Sequence, residues 1–207
     1  MKQSFKILWK NKGRNSLIII EMGISFLVLF ALSTLIVYNV NNYVKPIGFD
    51  YHDVWRLNFD FSGMRDSTDE KRDLMALVKN QLTSYKEVDN ITMTGSNVPY
   101  TTGTYMTSLH YNGRPSSNTH AYFVDNNFAG LLNIKVSEGR WFDTTDDVSE
   151  RIPIVVNRKF LSDLFDDTSP VGKTVHSGKY KVVGVVDHYR HKGEFSKELP
   201  GYFVRLQ

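Results

Sequence analysis

Cysteine is absent from all 207 residues, which excludes disulfides and thiolate metal sites. No internal repeat and no low-complexity tract runs through the chain, so solenoid and linker-like architectures are excluded. A large net charge is also missing. The formal value is only +3, and it is concentrated at one end. Residues 1–16, "MKQSFKILWKNKGRNS", carry Lys2, Lys6, Lys10, Lys12 and Arg14 with no acid, a local +5 that leaves the remainder near −2. Such a distribution gives no support to a nucleic-acid partner. Hydrophobic residues at 41% and charged residues at 23% place the bulk of the chain among folding sequences.

One long apolar run is present. "LIIIEMGISFLVLFALSTLIVY" (17–38) has 22 residues and a single charge, Glu21. As a helix it would extend about 33 Å, the thickness of a bilayer's hydrocarbon core. The spacing of small residues at Ala31 and Ser33 makes a poor cleavage site, and the apolar run continues beyond it. We therefore read 17–40 as a retained transmembrane helix. The basic flank precedes it, so residues 1–16 are expected in the cytoplasm and residues after about 40 outside. Tyr38 and Tyr43 fall where interfacial aromatics lie.

The leader is itself amphipathic. Phe5, Leu8 and Trp9 share one helical face, and Lys2, Lys6 and Lys10 another. This pattern, with Arg14, suits a helix lying in the lipid interface. Glu21, about one turn inside the span, either snorkels to the surface or meets a polar group on a partner helix.

Beyond the span, the periodicities alternate. "DVWRLNFDF" (53–61) has the period-two pattern of a half-buried strand. From 69 to 86, Leu74, Leu77, Val78 and Leu82 define an amphipathic helix. "VDNITMT" (88–94), 105–111, 119–124, "IPIVV" (152–156) and "KYKVVGVVD" (179–187) read as strands, with Asn112-Gly113 as a hairpin turn. "NNFAGLLN" reads as a short helix. In "NRKFLSDLF", Asn157 is the N-cap of a helix that buries Phe160, Leu161, Leu164 and Phe165. Two longer helices among irregularly spaced strands predict an α+β domain over 45–207.

Catalytic patterns are missing too. "SPVGKT" ends like a phosphate loop, but Asp167 stands where its first glycine belongs, Pro170 lies inside it, and a strand follows it. His188 and His191 lack the further ligands a zinc site needs and read as solvated loop residues. Asp143, Asp146, Asp147 and Glu150 lack the glycine-punctuated order of a calcium loop and read as a solvated turn. No Gly-x-Ser-x-Gly elbow occurs. No enzyme, metal or cofactor is expected. The loops 95–105 and 143–150 are the candidate binding surfaces.

"NNFAGLLNIKVSEGRWFDTTDD" and "IPIVVNRKFLSDLFDDTSPVGKTVHSGKYKVVGVVDHYRHKGEF" resemble successive segments of the periplasmic core domain of MacB/FtsX-like ABC transporter permeases. Gly139-Arg140, Pro170-x-Gly172-Lys173 and Val183-Gly184-Val185-Val186 carry the resemblance together. Basic leader, one span and core domain follow in the family's order. Gly139 and Pro170 suit tight turns, and Gly184 a bulge or a close backbone approach. The resemblance implies an α+β domain of the MacB periplasmic core type on a single transmembrane helix. It further implies a cytoplasmic ABC ATPase subunit and a second permease copy as partners, with membrane lipids around the span. ATP-driven movement would then serve export, lipoprotein release or signalling. Family permeases carry three further spans after this domain, so the chain is expected to be an N-terminal portion whose core domain continues past Gln207. The alternative is a membrane-anchored extracytoplasmic binding module without transport.

Overall fold

The apolar run becomes one long helix. The computed structural model describes residues 12–63, 68–116 and 118–206, apart from the side chains at 12, 14, 15 and 68. Lys2, Phe5, Lys6, Trp9 and Lys10 therefore lie outside the described residues, as does the side chain of Arg14. Helix α1 (Lys12–Tyr43) has 32 residues. Within Ser16–Tyr43, an 18-residue window has a mean hydropathy of 2.2 and is not buried by any part of the protein. A helix apolar on every face and uncovered by protein suits a hydrocarbon surround, and its length exceeds the ~30 Å of a bilayer core. Its polar side chains fold back onto the helix. Thr34 Oγ1 donates to the Phe30 carbonyl at 2.9 Å, and Asn39 Nδ2 to that of Leu35 at 2.9 Å. These bonds satisfy in advance groups that lipid could not.

The chain divides into two units after Lys45. In the second, α2 (Thr68–Thr83) opens with Asp69 and Glu70, acids that favour a helix N-terminus. A mixed sheet follows. Its strands are β1 (Met106–Thr107), β4 (Thr119–Val124), β5 (Val136–Gly139), β6 (Ile152–Asn157), β7 (Thr174–Val175), β8 (Tyr180–Val186) and β9 (Gly201–Arg205). A separate hairpin pairs β2 (His110–Tyr111) with β3 (Arg114–Pro115) through Asn112 and Gly113, both at positive φ. The sheet order is β1-β4-β9-β6-β8-β5, with β7 beside the start of β8. β4 runs parallel to β9, and β6 to β8; the other pairs are antiparallel.

Both faces of this sheet are covered, which is why its central strands read as unbroken apolar runs. On one face, Tyr122, Val124, Val155, Val186 and Phe203 pack with Phe128 and Ala129 of α3 (Phe128–Leu131), and with Phe49, Val98 and Tyr189. On the other, Ala121, Ile154, Val156, Val182, Val185 and Tyr202 meet Phe160, Leu161 and Leu164 of α4 (Arg158–Leu164). Val182 and Val185 share a face although they are three residues apart. A bulge at Val183–Gly184, where the register against β6 slips, makes this possible.

Three expectations are corrected. The segment 53–61 forms no strand: it pairs with no described strand, Asp53 has φ 58°, and Trp55 is 90% exposed. Alternation supplies a strand's faces, but a strand also needs a neighbour, and none of the described strands is beside it. Segment 88–94 contributes only an isolated bridge, Thr94 to Val124. The strand expected at 105–111 breaks into β1 and β2, which belong to different sheets. Helix α2 forms as expected, yet of its apolar face Val78 and Leu82 are only half-buried while Leu74 and Leu77 are exposed.

Candidate functional site

The "SPVGKT" stretch is a hairpin corner. Gly172 has φ 83°, its N–H donates to the Val182 carbonyl at 2.8 Å, and Lys173 N–H donates to Pro170 at 2.9 Å. The amides that would cradle a phosphate are thus already bonded. Lys173 Nζ lies 5.2 Å from the Phe165 ring centroid and 5.8 Å from that of Tyr111, and donates to Thr168 Oγ1 at 3.2 Å. Pro170 is buried at the corner. All three family-motif residues here take part in contacts within the fold.

Gly139 and Gly184 interlock with the bulge. Gly139 has φ 71°, and an added Cβ would stand 2.2 Å from the Val183 carbonyl oxygen. A Cβ on Gly184 would stand 2.2 Å from that of Arg140. Between them, Arg140 N–H donates to Val183 at 3.0 Å. The Arg140 guanidinium then forks onto Asp146, at 2.7 and 2.8 Å. The acidic loop is therefore no solvated turn. It forms a 3-10 helix (Thr144–Val148) with a capping box between Asp143 and Asp146, and Asp146 is buried. The bonds from Arg140 hold the Asp146 carboxyl below its ordinary value, against the opposing effect of burial. Arg205 pairs with Asp147 and ties this loop to β9.

The second candidate loop, 95–105, packs against segment 187–200. Asn97 is buried and donates to the Ala121 carbonyl at 3.0 Å. Tyr100 N–H donates to the His191 carbonyl at 2.8 Å. The hydroxyls of Tyr100 and Tyr51 both donate to Glu194 Oε1, at 2.9 and 3.0 Å. Gly193, at φ 88°, makes room for the Tyr100 ring; a Cβ there would lie 2.8 Å from it. Segment 187–200 is pinned from within by the buried Arg190, whose guanidinium donates to the carbonyls of Glu194 and Ser196.

Of the two histidines read as solvated, His188 is partly exposed and only His191 is buried. His188 Nδ1 pairs with Glu198 at 2.9 Å. His191 is buried, bonded through Nδ1 to the Tyr122 hydroxyl at 3.0 Å, and its ring centroid is 4.7 Å from that of buried His120. Burial depresses the pKa of His191 to about 4 and lowers that of His120. Sequence reasoning passed over His120, whose signal was its place in the apolar run "HAYFV". Among the described residues, no group of three or more metal-ligating acids and histidines gathers. Glu21 is exposed along α1 like its neighbours.

A family model for the MacB-like periplasmic core domain matches residues 17–205. Among solved structures, the extracellular domain of the noncanonic ABC-type transporter YknZ from Gram-positive bacteria is similar, at 19% identity and a TM-score of 0.45. That match covers 61% of this chain and 59% of that one. The periplasmic region of MacB from Actinobacillus actinomycetemcomitans matches at 14% identity and a TM-score of 0.47, over 68% of this chain and 61% of that one. The chain thus spans about 60% of the length of either solved domain. Comparison with curated proteins finds no match.

Proposed function

Since this chain belongs to the MacB-like periplasmic core domain family, we propose that it serves as a permease subunit, or the N-terminal portion of one, in an ABC-type transporter. The observation that carries the reading is the extent of the family match. It runs from Leu17, the start of the apolar run, to Arg205 in the last strand, so helix and domain are matched together and in order. In this reading α1 crosses the cytoplasmic membrane with the basic leader inside, as the charge asymmetry requires. The mixed domain works on the outer side. ATP is hydrolysed by a separate cytoplasmic subunit, and this chain, alongside a second permease copy and the surrounding lipid, passes the movement outward. It has no catalytic chemistry of its own. Export, lipoprotein release and signalling are the outputs that fit such a transmission.

The loops 95–105 and 143–150 are the surfaces offered to a substrate or partner. Their tips are exposed at Thr102 and Val148, while their bases are bonded into the sheet. Affinity purification of the tagged chain from its native membranes tests the reading. Retention of an ATP-hydrolysing subunit, lost when residues 1–40 are replaced by an unrelated span, is the expected result. A chain that inserts in the membrane but never carries ATPase activity overturns it in favour of an anchored binding module.

A further inference from the structure

The contact between loop 95–105 and segment 187–200 passes through a buried pair of imidazoles. His120 and His191 are each about 2% exposed. His120 sits on β4, beside Pro200, whose carbonyl accepts its N–H at 2.9 Å. His191 sits on segment 187–200, and its own carbonyl accepts the Tyr100 N–H. Three buried polar atoms here lack a partner: His120 Nδ1, His191 Nε2 and the Tyr189 hydroxyl. With neutral rings the bond is satisfied in the tautomer that leaves His191 Nδ1 an acceptor for the Tyr122 hydroxyl. A proton added to His191 turns Nδ1 into a donor, and the Tyr122 hydroxyl must then find another acceptor. Tyr122 is fully buried, with the Gly201 backbone against its ring.

The surrounding charges offer the added proton no counter-ion. Lys192 disfavours a cation at both rings, and His120 disfavours it at His191. Arg190, the neighbour in sequence, is a second cation. Loop 95–105 meets His191 at its backbone, through the Tyr100 N–H, and the ring itself lies against Tyr122 and Tyr189, neither of them an acid. The two carboxylates of the segment are engaged elsewhere: Glu198 with His188 and the Tyr189 N–H, Glu194 with Tyr51 and Tyr100.

We propose that His120 and His191 form a proton-sensitive latch, holding loop 95–105 docked on segment 187–200 only while both rings are neutral. Opening exposes the rings to water and lets them take up protons. It also frees the Tyr100 N–H, the bed of its ring at Gly193 and the Lys192 Nζ contact to Thr104 Oγ1. The one candidate loop surface would therefore change shape on acidification, while the other, built on Arg140 and Asp146, stays in place. This holds whatever the chain transports.

The test uses the full chain in lipid nanodiscs. Histidine ring carbons, labelled with carbon-13, are titrated by NMR, and amide exchange is followed for 96–104 and 188–196. Of the six histidine signals, that of His191 is expected to stay neutral below pH 5 while the domain is closed, and that of His120 to titrate below its ordinary value. For one ring moved from 6.5 to about 4, exchange corrected for its intrinsic pH dependence should rise about thirtyfold at pH 5 relative to pH 8. His191→Asn places an amide where Nδ1 was and should abolish most of that rise; His188→Asn should keep it. Ordinary titration of all six rings overturns the proposal, and so does an unchanged rise in the His191→Asn, His120→Asn double variant. The titration reads the wild-type chain, so the idea stays testable even if the variants fold poorly.

Discussion

At Gly184 a single methyl group decides between two backbones. Its Cβ would overlap the Arg140 carbonyl oxygen, with main chain on both sides and no flexible side chain to move away. Gly184→Ala should lower the unfolding free energy by about 1–3 kcal/mol, read as a lower urea midpoint with an unchanged slope. Asp146 makes a different prediction. Its carboxyl is held below the ordinary 3.8, so its contribution is complete above that value and fades as pH falls through the lower folded one. Asp146→Asn should cost about 1–3 kcal/mol at pH 7 and flatten the loss of stability below about pH 4, followed by thermal melts across pH. The glycine was legible in the sequence, since a glycine in a valine run signals a backbone constraint. Asp146 was not. An acidic cluster reads as solvated until the fold brings Arg140 over it. His191 was hidden for a similar reason, because its burial is set by Tyr122, 69 residues away.

Single side chains also hold whole elements. Asn157 ends β6 and caps α4. Its Oδ1 accepts from Phe160 N–H at 3.0 Å and from Gly201 N–H at 2.9 Å, while Nδ2 donates to the Leu199 carbonyl at 2.7 Å. Removing these bonds frees the helix start and the entry to β9 together. Asn157→Ala should therefore cost about 2 kcal/mol, at the upper end for a helix cap, measured by chemical denaturation. The cap and the apolar face of α4 were readable, because both are local patterns. β6, β8 and the second half of β4 were readable for a related reason: strands covered on two faces are apolar throughout. The alternating segment from Val54 to Phe61 shows where local pattern fails. It has a strand's composition, but pairing is a property of two segments, and the pattern of one cannot supply the other. The split of 105–111 into β1 and β2 has the same origin, since the register of each piece is set by a different partner.

For the molecule as a whole, charge and hydropathy made the span legible, and the ordered family motifs made the domain legible. The sheet order was not, because strand neighbours are chosen over long sequence distances. That order has a consequence for synthesis. β9, later in the chain than every other strand, is inserted between β4 and β6. Until residues 201–205 leave the ribosome, β4 and β6 have no common neighbour, and neither face of the sheet can close. Closure of the described sheet therefore waits on β9 rather than proceeding strand by strand. A chain ending at Pro200 should be cut more readily by protease across β4 and β6 than one that includes β9. The cell's quality-control proteases would meet the same window on every chain they inspect, open until synthesis reaches β9.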